Sequence, residues 1–154
     1  MKFLHILALV CSLSFGATAF AQVDYHWDAH GIGFSIPSNF KVLNNNAELF
    51  EAENANLHLT INPFQDESLT MENLASEIIK SAKELGFQGG AEIDEIKIDD
   101  FEGYYAEGTL EGQGAFFAIL LDTKSSTNMV ITLVYDDKSV DQAIKLLKSF
   151  YAYD

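Results

Sequence analysis

Between residues 55 and 62 apolar and polar side chains alternate without a break. Ala55, Leu57, Leu59 and Ile61 fall on one side, and Asn56, His58, Thr60 and Asn62 on the other. A period of two marks a β-strand covered on one face. Upstream, residues 24–28 and 32–36 read as strand segments around the turn Gly31-Ile32-Gly33, and Pro37-Ser38-Asn39 ends the second. Phe40 to Leu43 reads as a short strand. Asn44-Asn45-Asn46 is a turn of residues that tolerate left-handed geometry, and Ala47 to Ala52 is a further strand closed by Asn54.

At Thr70 the period changes to that of a helix. Thr70 can cap a helix whose inward stripe is Met71, Leu74, Ala75, Ile78, Ala82 and Leu85, with Leu69 and Leu74 at staple spacing. Glu72 lies near the positive end, Lys80 and Lys83 near the negative end, and Gly86 is the expected stop. After a Gly89-Gly90 loop, strands are expected near 92–98, 102–111, 113–122 and 127–135. Asp99-Asp100, Glu111-Gly112-Gln113-Gly114 and Ser125-Ser126 separate them. Ala115 to Leu121 is apolar on both faces, and so is Met129 to Val134 apart from Thr132, the mark of strands with both sheet faces covered. A last helix is expected over 139–151, with Ser139-Val140-Asp141-Gln142 fitting a capping box and Val140, Ala143, Ile144, Leu147 and Phe150 facing inward.

The order strands, helix, strands, helix, with hairpin-length loops, predicts an α+β fold. It is a mainly antiparallel sheet of about six to eight strands with a helix packed on each face, an α/β/α sandwich. A helix-grip fold is the rival, but it asks for a longer closing helix.

The first residues form a separate unit. Lys2 supplies a positive start, Phe3 to Phe15 is largely apolar, and Ala19-Phe20-Ala21 is the small-x-small pattern read by a signal peptidase. A secretory signal peptide over 1–21 is expected, cleaved after Ala21, leaving a single domain over 22–154. The run is too short and too broken by Ser12, Ser14, Gly16 and Thr18 for a membrane-spanning helix. Val10 rather than a small residue precedes Cys11, which argues against lipid anchoring. The expected location is therefore outside the cytoplasm, periplasmic or extracellular, with no stable membrane anchor after cleavage.

Cleavage changes the chemistry available. Cys11 is the one cysteine, so the mature chain has no disulfide, no thiolate metal site and no thiol nucleophile. The mature length is 154 − 21 = 133 residues and the mature charge is 8 − 23 = −15, since Lys2 leaves with the signal. All the basic residues are lysines. Without arginine, and with this sign, binding to nucleic acid or anionic lipid is not expected, whereas cationic partners are favoured.

The stretch Gly31-Ile-Gly-Phe-Ser-Ile-Pro-Ser-Asn-Phe40, the helix before Gly86, Ile96-Lys-Ile-Asp-Asp-Phe-Glu-Gly-Tyr104 and the closing Ser149-Phe150 together resemble the PsbP-like superfamily, which includes Mog-like proteins and small exported bacterial domains. Phe40 stands where tryptophan is common in that family. The resemblance implies a non-enzymatic accessory or binding domain. It carries over no functional residue, because these marks are turn and core positions.

Four groups of residues are candidates for chemistry. Asp24, His26, Asp28 and His30 would share one face of an extended segment. Imidazoles and carboxylates there suit zinc or a similar ion, against the simpler reading of a polar strand face. The acids Glu92, Asp94, Glu95, Asp99, Asp100, Glu102, Glu107 and Glu111 lack the ligand spacing of a calcium loop and read as solvated turns and outer faces. Gly31/Gly33, Gly89-Gly90 and Gly112/Gly114 lack the strand–loop–helix context of a phosphate cradle. Trp27, Tyr104, Tyr105, Tyr151 and Tyr153 could line a binding face. No nucleophile motif and no cofactor motif is present, so no cofactor is expected. The expected role is an exported, non-enzymatic accessory domain that binds an envelope protein. A small-ligand or metal carrier is the alternative, and a carboxylate-dependent hydrolase a third reading.

Overall fold

The computed structural model describes residues 21–153. The expected signal peptide, apart from Ala21, lies outside the described residues. The chain runs β1 (Gln22–Trp27), β2 (Ile32–Pro37), β3 (Lys41–Asn45), β4 (Phe50–Glu53), β5 (Leu57–Phe64), α1 (Met71–Glu84), β6 (Gln88–Ile98), β7 (Phe101–Leu110), β8 (Gln113–Asp122), β9 (Asn128–Tyr135), α2 (Val140–Leu147) and β10 (Tyr151–Ala152).

Seven strands form an antiparallel sheet in the order β3-β4-β5-β9-β8-β7-β6. The two doubly apolar strands, β8 and β9, occupy its interior, as their pattern requires. On one face α1 presses Leu74, Ile78 and Ala82 onto Phe117, Ile119 and Leu121. On the other, Leu57, Leu59 and Ile61 meet α2 through Leu146 and Leu147. The expected helix on each face is present.

The second face carries more than a helix. β1, β2 and β10 form a separate small antiparallel sheet and do not join the large one. Their inner residues Trp27, Ile32, Phe34 and Ile36 are buried in the same core as α2. Phe34 stacks on Phe150 at 5.0 Å and meets Phe50 edge-on at the same distance, so aromatic packing bonds the small sheet to β4 and to the end of α2. Trp27 is 1% exposed, which removes it from any binding face.

Local chemistry explains where elements stop. At the end of α1, Gly86 takes φ +82°. The Phe87 N–H bonds to the Ala82 carbonyl and the Gly86 N–H to Lys83, the double bond pattern that closes a helix on a left-handed glycine. Leu85 falls past the last turn and is exposed, so it leaves the predicted stripe. At the start of α1 the Asn73 side chain accepts the Thr70 N–H at 2.8 Å. No corresponding cap forms at α2. Ser139 makes no side-chain cap bond, and the buried Gln142 Nε2 has no partner among the described residues. Nor does that helix reach residue 151. The Ser149 hydroxyl donates to the Leu146 carbonyl at 2.7 Å and accepts from the Ser35 N–H at 2.9 Å, which stops the helix against β2 and releases β10.

Two turns are shifted from expectation. β3 runs through Asn45, and Asn46 makes the turn by accepting the Glu48 and Leu49 N–H groups. Gly89 and Gly90 lie within β6, where Gly89 at φ +86° opens an irregularity in register, rather than in a loop.

A candidate interaction groove at one end of the sheet

Three connections meet at one end of the large sheet: 65–70 before α1, 123–127 between β8 and β9, and the β6–β7 turn at 99–100. The first two are shaped by short polar side chains bonding their own backbone, and the third is tied to the second. The Asp66 carboxylate accepts the Ser68 N–H at 2.9 Å and its hydroxyl at 2.6 Å. These bonds to Ser68 hold its carboxyl below the ordinary carboxylate range. One connection away the Asp122 carboxylate accepts the Lys124 and Ser125 N–H groups at 2.8 and 3.1 Å and the Ser125 hydroxyl at 2.6 Å. Thr123 donates both its N–H and its hydroxyl to the Asp100 carbonyl at 2.9 Å, and Lys124 Nζ lies 2.8 Å from the Asp100 carboxylate.

Asn128 joins these pieces. Only 6% exposed, it accepts the Asp122 N–H at 3.3 Å and donates to the Asp66 carbonyl at 3.4 Å. A polar side chain this buried is tolerated because both ends of its amide are engaged.

The connections enclose a groove of about 610 Å³. Leu69, Met71 and Leu121 supply its apolar part. Asp66, Glu67, Glu72, Glu102 and Asp122 surround it. A second hollow of about 480 Å³ continues from it along α1, sharing Asp66 and Leu69 and lined by the apolar Phe64, Ile119 and Val130. A side-chain groove with apolar lining and carboxylates around it favours a group that is both apolar and cationic.

The residues singled out from sequence are distributed differently. β1 ends at Trp27, so Asp28 and His30 sit in a turn and not on the strand face that carries Asp24 and His26. Each of the four has its own partner. Ser35 Oγ donates to Asp24, and His26 Nε2 lies 2.8 Å from the Tyr151 hydroxyl. Tyr153 donates to Asp28 at 2.6 Å, and His30 Nε2 lies 2.7 Å from the Ala47 carbonyl. Among the described residues no group of three or more His, Cys, Asp and Glu side chains is placed to hold a metal ion. Tyr151 and Tyr153 belong with this set. The Tyr151 ring covers Gly33, where a Cβ would lie 2.1 Å from ring carbon Cζ, and the His26 and Tyr153 rings are 4.8 Å apart. Partial burial and the bond to Asp28 hold the Tyr153 hydroxyl up at about 12. Tyr104 and Tyr105, adjacent on β7, pack against opposite faces of the large sheet. The predicted aromatic face is therefore three separate settings.

His58, the one other histidine after Ala21 that could have added a ligand to the Asp24–His30 set, sits instead between two carboxylates. Its Nε2 is 3.1 Å from Glu51 and its Nδ1 3.1 Å from Glu53. The cross-strand register Glu53↔His58 brings one of these acids alongside.

No protein-family model matches the chain, and no curated protein is similar enough to be paired with it. Solved structures are similar in three dimensions. The cyanobacterial PsbP (CyanoP) of Synechocystis superposes with a TM-score of 0.61 at 13% identity, over 90% of this chain and 96% of that one. The fold is PsbP-like. The Ran-binding protein Mog1p of Saccharomyces cerevisiae gives 0.52 at 11% identity, over 88% and 97%. LpqN of Mycobacterium tuberculosis, involved in cell envelope biogenesis, gives 0.50 at 14%, over 87% and 91%. A Bacteroides thetaiotaomicron protein also matches, with a TM-score of 0.53 at 12% identity, over 80% of this chain; the chain spans 46% of that longer protein. Among the described residues no helix is long and apolar enough to cross a membrane.

Proposed function

We propose that this chain is an exported, non-enzymatic accessory domain that docks an envelope protein, and that the groove between the 65–70 and 122–128 segments is its docking surface. The observation that carries the reading is the composition of that groove. Leu69, Met71 and Leu121 offer apolar contact, and carboxylates from four parts of the chain lie around them on a domain of strongly negative charge. The matching partner surface presents an apolar side chain flanked by lysine or arginine. Two neighbours in fold support the class of role: one is described as Ran-binding and another as involved in cell envelope biogenesis. Asp66 and Asp122 direct carboxylate oxygens to their own loops, which suits a fixed surface better than proton transfer.

The test is cross-linking in cells with the tagged, processed protein, followed by mass spectrometry. The expected result is one recurrent envelope protein, cross-linked through a basic segment. Its capture should be lost in a Glu67→Lys, Glu72→Lys, Glu102→Lys variant that melts like the parent. A protein that remains a partnerless monomer in its own envelope, or capture indifferent to those three substitutions, overturns the reading.

A further inference from the structure

We propose that the processed chain carries a modified N-terminus, in which the Gln22 side chain has closed on its own α-amine to give pyroglutamate. The inference rests on the export reading, since Gln22 becomes the first residue only when the chain is cut after Ala21. Gln22 is also the first residue of β1, so the cut falls at the start of that strand.

Three features of β1 leave Gln22 able to react. It is exposed, and its side-chain amide is not held by a hydrogen bond to another described residue. β1 is an edge strand, paired with β2 on one side only. The strand register places Gln22 opposite Pro37, which has no N–H to give. The Ser38 N–H bonds to the Ala21 carbonyl at 2.8 Å, so the bonded pair is Ala21–Ser38 and the next pair, Gln22–Pro37, is one whose backbone groups point away from each other. The nitrogen freed by cleavage therefore faces the open edge of the sheet, and closing the ring on it breaks no ladder hydrogen bond.

The step is internal and balanced. The uncharged α-amine nitrogen attacks Cδ of the side-chain amide, and a new N–C bond forms. The bond from Cδ to Nε2 breaks, and the amide nitrogen leaves as ammonia with a proton taken from the amine. No oxidant or second substrate is consumed. The product is a neutral lactam, which removes the terminal positive charge and leaves no free amine for an aminopeptidase at the edge of the small sheet.

The full exported protein provides the test. With no arginine in the chain and Lys41 the first lysine after Gln22, trypsin releases residues 22–41 as one peptide. The expected peptide is lighter than the unmodified one by one ammonia. It resists stepwise degradation from its N-terminus until treated with a pyroglutamate-specific aminopeptidase. A Gln22→Ala protein, cut at the same place, should give an unblocked peptide. A free Gln22 amine in both fresh and stored protein overturns the modification alone. A first residue other than Gln22 overturns the processing reading, and the modification with it.

Discussion

Replacing Asn128 by alanine tests whether the groove is a built feature or an accident of loop packing. The side chain is 6% exposed and bridges the Asp122 N–H to the Asp66 carbonyl, 3.3 and 3.4 Å away. Both bonds are long, which places each toward the low end of the usual net contribution, about 0.5–1 kcal/mol. The groups left behind line an open groove, so water can reach them and the full penalty of a buried orphan is not incurred. The total expected loss is therefore about 1–2 kcal/mol, which for a domain of this size lowers the melting temperature by roughly 4–8 °C. Calorimetry on the processed protein measures the shift, and hydrogen exchange at the Asp122 amide locates it. Exchange there should accelerate while amides in β5 keep their protection. A melting temperature within about 1 °C of the parent, with the Asp122 amide still protected, would refute the bridging role.

Other positions give sharper signs. A Cβ on Gly103 would lie 1.9 Å from the Ile119 carbonyl oxygen, a backbone atom that cannot swing aside. Gly103→Ala should therefore destabilise by about 3 kcal/mol in denaturant titration. Gly112, at φ +84° with nothing within 4 Å of its Cβ position, is limited by angle alone, so Gly112→Ala should cost only about 1–2 kcal/mol. Burial, then the charge and hydrogen bond of Glu107, push the Tyr135 hydroxyl up to about 12. The folded state thus holds that proton more tightly than the unfolded one. Its contribution is complete below the ordinary value of 10.0 and is lost as pH rises through about 12. Unfolding midpoints across that window should fall with pH, and Glu107→Gln should bring Tyr135 ionisation to lower pH in an ultraviolet titration. Asp66 has the opposite sign. Its carboxyl is held down by Ser68, so its contribution is present above the ordinary carboxylate value and lost as pH falls through the lowered one. In a carboxyl-carbon NMR titration Ser68→Ala should move Asp66 upward, and an unchanged midpoint would refute the assignment.

The sequence by itself determined the elements whose signal is local. The alternation across 57–61 marked β5, the doubly apolar runs marked β8 and β9 as interior strands, and the stripe ending before Gly86 marked α1. Side-chain period and a left-handed glycine are properties of a few neighbouring residues, and no distant part of the chain is needed to fix them. What only the tertiary structure decided depends on pairing over long separations. β1 and β2 form their own sheet because Tyr151 and Ala152 return to pair with Gly33 and Ile32, and the closing helix is cut short for the same reason. Asp28 and His30 leave the face of Asp24 and His26 because β1 ends at Trp27, whose ring is taken into the core. The groove is the clearest case. Asp66, Glu102 and Asp122 lie far apart in the chain, and they meet because strand order sets β9 between β5 and β8 and brings both loops to Asn128. Local pattern specifies which residues face inward, but which loops become neighbours is set first by strand pairing over long separations, and the bonds between the loops follow from it.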